Sequence, residues 1–137
     1  MTPLFTAIYS MLAGSALATN HIGTKMYPNQ APQEIAYPYV TYELVVGTTD
    51  WTFCADMEFD DCLIQFNLFS NDTDDTEVGG MFTDLIALYD WCNLTHASLV
   101  AAGYTSLYMR RELYHLMKDI DAGVWQYVVQ YRVLLES

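Results

Sequence analysis

The stretch that decides the fold begins with DCLIQFNLFS at residues 61–70 and continues through an acidic break to Cys92. In its first part, apolar side chains occupy every second position, at Cys62, Ile64, Phe66 and Leu68. Polar residues such as Gln65 and Asn67 fall between them. This alternation predicts a β-strand with one buried face.

The second part of the stretch has the period of a helix. Apolar residues recur at steps of three and four, at Val78, Met81, Phe82, Leu85, Ile86 and Tyr89. Acidic residues, such as Asp84, point the other way. The pattern predicts an amphipathic helix whose apolar side covers a sheet.

Upstream, the sequence predicts a helix, a short extended piece and a strand. Thr2-Pro3 is a typical helix start, and apolar residues at helical spacing extend this helix to about Ala18. Met26–Pro28 reads as extended. Alternation from Tyr39 predicts a strand that ends at Gly47 and pairs with the strand at 61–70 through a long loop, Thr48–Asp60.

Downstream, Tyr104–Met117 alternates imperfectly and Val124–Leu135 alternates well, with a predicted hairpin turn at Lys118–Gly123. No composition shift marks a domain boundary. The sequence therefore predicts one α+β domain over residues 1–137, with a mixed, mostly antiparallel sheet and two helices packed on one face.

The charge balance excludes several classes of ligand. The 137 residues include 17 acids and five Lys or Arg, which gives a net charge of −12. A surface this acidic repels phosphate and anionic membranes, so specific binding of nucleic acid or membrane is not expected. A channel through which DNA slides without binding remains compatible with this charge.

The cysteines and the N-terminus indicate an intracellular protein. Cys54, Cys62 and Cys92 show no C-x-x-C spacing, so we expect reduced thiols. The apolar segment Leu4–Ala18 has no Lys or Arg before it, which disfavours a signal peptide.

No pattern indicates catalysis, a metal or a cofactor. The acidic stretch 71–77 places Glu77 where an EF-hand requires glycine, and its acids are better explained as caps of the following helix. His21, His96 and His115 lack metal-ligand spacing. We therefore expect a protein that is not an enzyme.

Two parts of the sequence are candidates for a subunit or partner interface. The predicted loop places aromatic residues among acids that repel one another, so we expect it to be mobile in the isolated subunit and ordered at a contact. Arg110 or Arg111 of a neighbour is the candidate counter-charge, although successive strand residues face opposite sides and a surface ion pair of little energy is the alternative. The candidate interface residues are Asp50, Trp51, Phe53, Asp56, Glu58, Arg110 and Arg111.

The order of motifs resembles one protein family. MYPNQAPQ at 26–33, YPYVTY at 37–42 and QFNLFS at 65–70, followed by a helix, are similar to the tail-completion (tail-terminator) proteins of long-tailed bacteriophages. The resemblance covers Leu4 to about Trp91. The segment Tyr104–Met117 shows no pattern that matches the family.

This resemblance implies assembly rather than catalysis. It implies an α+β subunit that forms a homo-hexameric ring in the virion neck, after assembly in the host cytoplasm. Its partners would be the tail tube protein, the head connector or stopper protein, and genomic DNA that passes through the lumen without specific binding. The alternative is an intracellular α+β domain that binds a small molecule or peptide, with the many aromatic residues lining its pocket.

Overall fold

The computed structural model of the chain describes residues 2–51, 58–91 and 105–136. Two helices, α1 (Thr2–Ser10) and α2 (Thr76–Tyr89), accompany five strands. The strands are β1 (Met26–Pro28), β2 (Tyr39–Trp51), β3 (Glu58–Ser70), β4 (Thr105–Asp119) and β5 (Val124–Glu136). A single π-helical turn lies at Ala18–Ile22.

The strands form one sheet in the order β1-β2-β3-β5-β4. Among the described strands, β1 runs parallel to its neighbour and the other pairings are antiparallel. The hydroxyl of Tyr89 at the end of α2 donates to the Ile8 carbonyl of α1 at 2.8 Å, so the two helices meet over the same face. The predicted α+β class and the mixed, mostly antiparallel sheet are confirmed.

The core lies between the helices and β3. The four alternating apolar residues of β3, from Cys62 to Leu68, are all at most 2% exposed, as predicted. The Phe66 ring stacks on Tyr89 at 4.9 Å and meets Tyr131 of β5 edge to face at 5.8 Å. Burying a side chain of this size contributes about 1.5–3 kcal/mol, so this column joins the sheet to α2.

The acidic stretch before α2 caps the helix only in part. The Asp74 carboxylate accepts the Thr76 backbone N–H at 3.1 Å, which satisfies one amide at the helix start, but the N-cap residue Asp75 makes no side-chain capping bond. Ser70 at the end of β3 donates to the Glu77 side chain at 2.6 Å and ties the first turn of α2 to the strand.

The first helix is shorter than the sequence predicts. It ends at Ser10, and the chain then turns through Gly14, whose φ of +76° cannot continue a right-handed helix. Leu12 and Leu17 are nevertheless buried. The apolar spacing therefore predicted correctly that these residues are buried, but it did not predict where the helix ends.

The two central strands are longer than predicted. Thr48–Trp51 and Glu58–Asp60 were expected to be loop, but they continue the antiparallel pairing up to Trp51 opposite Glu58. The strand prediction that ended at Gly47 was therefore wrong. Cross-strand pairing decides the state of these residues, and their threonines and acids carry no apolar alternation that would reveal it.

Irregular pairing explains the imperfect alternation of β4. The register against β5 shifts between Ser106 and Tyr108 and again between Arg111 and Leu113. Each shift inserts an extra residue and reverses the face of the residues that follow. The predicted hairpin turn is present, with Gly123 at a φ of +67°.

Candidate interaction surfaces

The sheet face opposite the helices carries a network of side-chain amides. Gln65 and Gln126 both donate to the Asn67 carbonyl oxygen, at 2.8 and 3.1 Å. Asn67 donates to Thr41 at 3.2 Å, and Gln130 donates to Gln65 at 3.0 Å. The network ties β2, β3 and β5 together on a face that would otherwise expose single polar groups.

An aromatic ridge stands beside this network. The Tyr39 ring lies 5.3 Å from Tyr37 and 4.9 Å from Phe69, measured between ring centres. Burial raises the pKa of the Tyr39 hydroxyl, and Tyr37 adds to the effect, so Tyr39 is neutral over the physiological range. Between this ridge, the amides and the segment 29–35 lies an open groove of about 610 Å³.

The two candidate arginines lie on opposite faces of β4, as predicted. Arg110 donates to Glu112, which also accepts from Arg132 of β5 at 3.1 Å. Arg111 lies on the helix side, 3.7 Å from the Asp90 carboxylate and with its guanidinium 5.0 Å from the centre of the Tyr114 ring. Each arginine therefore has a partner within its own subunit.

The charge cluster around Glu112 is at the surface. The hydrogen bond from Arg110 is the main cause that lowers the pKa of Glu112 below its ordinary 4.5, and Arg132 adds to it. The side chains of Arg110 and Arg111 are 44% and 30% exposed. Both remain accessible to a partner in addition to their own acids.

The predicted loop residues divide into two groups. Asp50, Trp51 and Glu58 lie in the paired ends of β2 and β3, residues 48–51 and 58–61, which we call the ribbon. In it, Asp50 is opposite Phe59 and Trp51 is opposite Glu58. Phe53 and Asp56 lie outside the described residues.

The structure does not bring the ribbon and the arginines together in one subunit. Arg110 is opposite Arg132, which is opposite Leu63, which in turn is opposite Val46. Three strand spacings of about 4.8 Å therefore separate Arg110 from β2. A contact between the ribbon and these arginines requires two different copies of the chain.

Sequence reasoning missed one polar contact that fastens the helical layer. The His21 ring in the π-helical turn pairs with Asp84 of α2 at 2.9 Å and lies against the backbone of Gly80. The partners are sixty-three positions apart in the sequence, so no local pattern predicts their contact. The close approach at Gly80 agrees with the pair of glycines in the sequence of α2.

Within 2–51, 58–91 and 105–136, no group of His, Cys, Asp and Glu is arranged to hold a metal ion. Among the described helices, none is long and apolar enough to cross a membrane.

Comparison with known proteins identifies the fold. No protein-family model and no curated protein sequence matches the chain. Among solved structures, a chain from the virion of a native gene transfer agent (GTA) particle aligns with a TM-score of 0.77. The alignment covers 96% of this chain and 93% of that chain, at 12% sequence identity. The two chains therefore share their fold over nearly their whole lengths.

Proposed function

We propose that this protein is a structural component of a phage-type virion. The observation that carries the proposal is the match to a virion chain over 96% of this chain and 93% of the other. Because neither chain has a large unmatched part, the similarity concerns the whole domain. The resemblance of the segments at 26–33, 37–42 and 65–70 to tail-completion proteins points to the same class independently.

More narrowly, the protein acts as a tail-completion protein. Copies form a ring, with six subunits as the expected number, that caps the tail tube and joins it to the head connector or stopper protein. Its place is the neck of the virion, and assembly takes place in the host cytoplasm. The described surface supports an assembly role because large apolar residues are exposed on both sides of the sheet, for example Val45 on β2, beyond the part that β1 covers, and Tyr114 on the outer strand β4.

The ribbon and the arginines are the proposed contact residues of this assembly. The ribbon carries Asp50 and Glu58, and the sheet separates it from Arg110 of the same subunit. Its acids would therefore meet Arg110 or Arg111 of a neighbouring copy, or a surface of the tail tube protein. The role is one of positioning proteins, and we propose no catalytic activity.

A second candidate function is binding of a small molecule or peptide on the open sheet face. The groove of about 610 Å³ supports it, because amides and tyrosines line the floor and wall. Pockets of this size accommodate drug-sized ligands. The groove is open and polar, however, and a surface between subunits would have the same composition.

Particles produced with and without the chain test the proposal. Purified wild-type particles should contain the chain at a fixed ratio of a few copies per particle, measured by quantitative mass spectrometry. Particles assembled without it should accumulate as separate heads and tails in electron micrographs, and a copy of the gene supplied in trans should restore joined particles. Joined, infective particles that lack the chain would contradict the proposal.

A further inference from the structure

The described sheet has an open edge on each side, along β2 beyond the short β1 and along β4. The short β1 covers β2 only from Val40 to Tyr42, so Glu43–Trp51 has β3 on one side and no described strand on the other. At the opposite margin, Trp91 donates its N–H to Met109 at 2.8 Å, and no described strand lies beyond Arg110–Asp119. Such edges are templates for pairing with another chain.

The exposed apolar residues of the described surface concentrate at these two edges. Leu44 and Val45 lie on β2, and Leu113, Tyr114 and Met117 lie on β4, all between 38% and 56% exposed. Single exposed apolar residues are common, but their placement along both open strands is not expected for a monomer. Each edge therefore has apolar surface that a partner would bury.

The two edges have opposite charge. The β2 edge segment 43–51 contains Glu43 and Asp50 and no Lys or Arg, and the connection and β3 add Asp56, Glu58, Asp60 and Asp61 beside it. The β4 edge segment 110–119 contains Arg110, Arg111 and Lys118 against Glu112 and Asp119, an excess of one positive charge. Opposite charges on two surfaces attract them to each other, and like charges prevent either surface from pairing with itself.

We propose that the β4 edge of one copy binds the β2 edge of the next, so that the sheet continues from subunit to subunit. This inference rests on the proposed ring and specifies its interface. Because β2 of one copy would meet β4 of the next, the contact is heterologous, which is the kind that generates rings. The β4 edge carries arginine and lysine, so the acidic β2 edge of a second copy is the surface of this chain that complements it best.

The strand directions and registers permit this contact. In the order β2-β3-β5-β4 each strand is antiparallel to its neighbour, so β4 of one copy lies antiparallel to β2 of the next when the sheets are in line. Leu113–Asp119 and Val46–Trp51 contain no register shift. Each segment is long enough for an antiparallel ladder between the irregular positions.

The offset between the two segments sets the tilt of the strands. Within one subunit, Leu116 of β4 lies level with Val40 of β2, because Leu116 pairs with Tyr127, Tyr127 with Leu68 and Leu68 with Val40. Pairing of the middles of the two segments would place Leu116 opposite Thr48 of the next copy, which is eight residues beyond Val40. Eight residues span about 26 Å along a strand, and the four strands from β2 to β4 span about 19 Å across the sheet. The strands would then be inclined by roughly 54° to the ring axis, more steeply than strands in closed barrels.

Charge exchange between the two edges tests this contact in the full-length chain. The first variant, Leu113→Glu with Met117→Glu, makes the β4 edge acidic. The second, Leu44→Lys with Val45→Lys, adds two positive charges to the β2 edge at the bulge directly before the paired segment Val46–Trp51. Light scattering should show that each variant alone has a dissociation constant for self-association raised by about tenfold or more, because like charges then face each other.

An equimolar mixture of the two variants should recover association close to that of the wild type, because every contact in it joins an acidic edge to a basic edge. Tyr9→Lys is the matched control, since Tyr9 is 41% exposed on α1 and lies on neither edge. Circular dichroism checks that each variant is folded. If the glutamate pair does not fold, Leu113→Thr with Met117→Thr replaces it and should weaken association without recovery in the mixture.

Three results would overturn the edge contact: wild-type chain that is monomeric up to about 1 mM, edge variants that associate as the wild type does, or a mixture of the glutamate and lysine variants that does not recover. The two proposals fail separately. Chain that is present in particles but insensitive to the edge variants contradicts only the edge contact. Chain that associates through these edges but is absent from particles contradicts only the proposed function.

Discussion

At the scale of single residues, the two adjacent glycines of α2 have different surroundings. A Cβ built on Gly79 meets no atom within 4 Å, whereas one on Gly80 lies 3.2 Å from Cε1 of His21. The His21 ring has little freedom to move because Asp84 pairs with it at 2.9 Å. Gly80 thus allows the π-helical turn to approach α2 closely.

Alanine substitutions at the two positions measure that difference. Gly79→Ala should stabilise the protein by up to about 1 kcal/mol, since alanine is the better helix former. Gly80→Ala should gain clearly less or destabilise, because the new methyl displaces His21. Urea unfolding of both variants gives the comparison, and equal gains would show that His21 does not restrict this position.

Ionisation of Glu112 on β4 makes the folding stability depend on pH. Its pKa is lowered in the folded state, mainly by the hydrogen bond from Arg110. A lowered folded pKa means that the contribution to stability is fully present above the ordinary value of 4.5 and is lost as the pH falls through the lower folded value. Because Glu112 is exposed, the effect is small.

Comparison with Glu112→Gln isolates this contribution. The difference in unfolding free energy between wild type and variant should be constant above the ordinary pKa of 4.5 and shrink as the pH falls below it. All other carboxylates titrate in both proteins and cancel in the difference. A difference that is independent of pH would show that Glu112 is not held by the arginines.

At the scale of elements, the β2–β3 ribbon extends beyond the part of the sheet that β1 covers. Its pairing continues to Trp51 and Glu58, and β5 follows β3 as far as Phe59 opposite Glu136. The ribbon is therefore backed by a third strand almost to its end. Only residues 52–57 connect its two strands.

Shortening this connection separates folding from assembly. Deletion of Thr52–Asp56 removes Phe53 and Asp56 and leaves one residue between Trp51 and Glu58, so this last pair must open to form the turn while the inner pairings of β2 with β3 are kept. The thermal midpoint should change little, whereas ring formation or tail joining should be lost. Unimpaired assembly, or collapse of the fold, would exclude a contact role for these residues.

The sequence predicted strands and helices well where one face of the element is buried. It predicted them poorly where only hydrogen bonding to a neighbouring strand decides whether a residue is in a strand. The residues from Cys62 to Leu68 alternate because one side of β3 packs on α2, and the period was visible. Thr48 and Asp60 pair without such a signal. The bulges of β4 hid the faces of Arg111 and Leu113, and no local pattern could join Asn67 to Gln126, which are fifty-nine residues apart.

At the scale of the whole molecule, the charge is the property that bears on DNA. A net charge of −12 per subunit makes the lumen of a ring neutral to acidic unless the few bases gather there. DNA would then pass without being retained. Electrophoretic mobility shifts with duplex DNA should show no binding at ordinary salt, and binding with a steep salt dependence would contradict this account.

The mass of the assembled protein tests the central claim most directly. Size-exclusion chromatography with multi-angle light scattering should give a discrete closed particle, with six copies of the 15.6 kDa chain as the expected composition, either alone or after addition of tail tubes. Heterologous contacts that close produce one fixed mass rather than a distribution. A chain that stays monomeric in both conditions and binds a small ligand with saturation would contradict the claim.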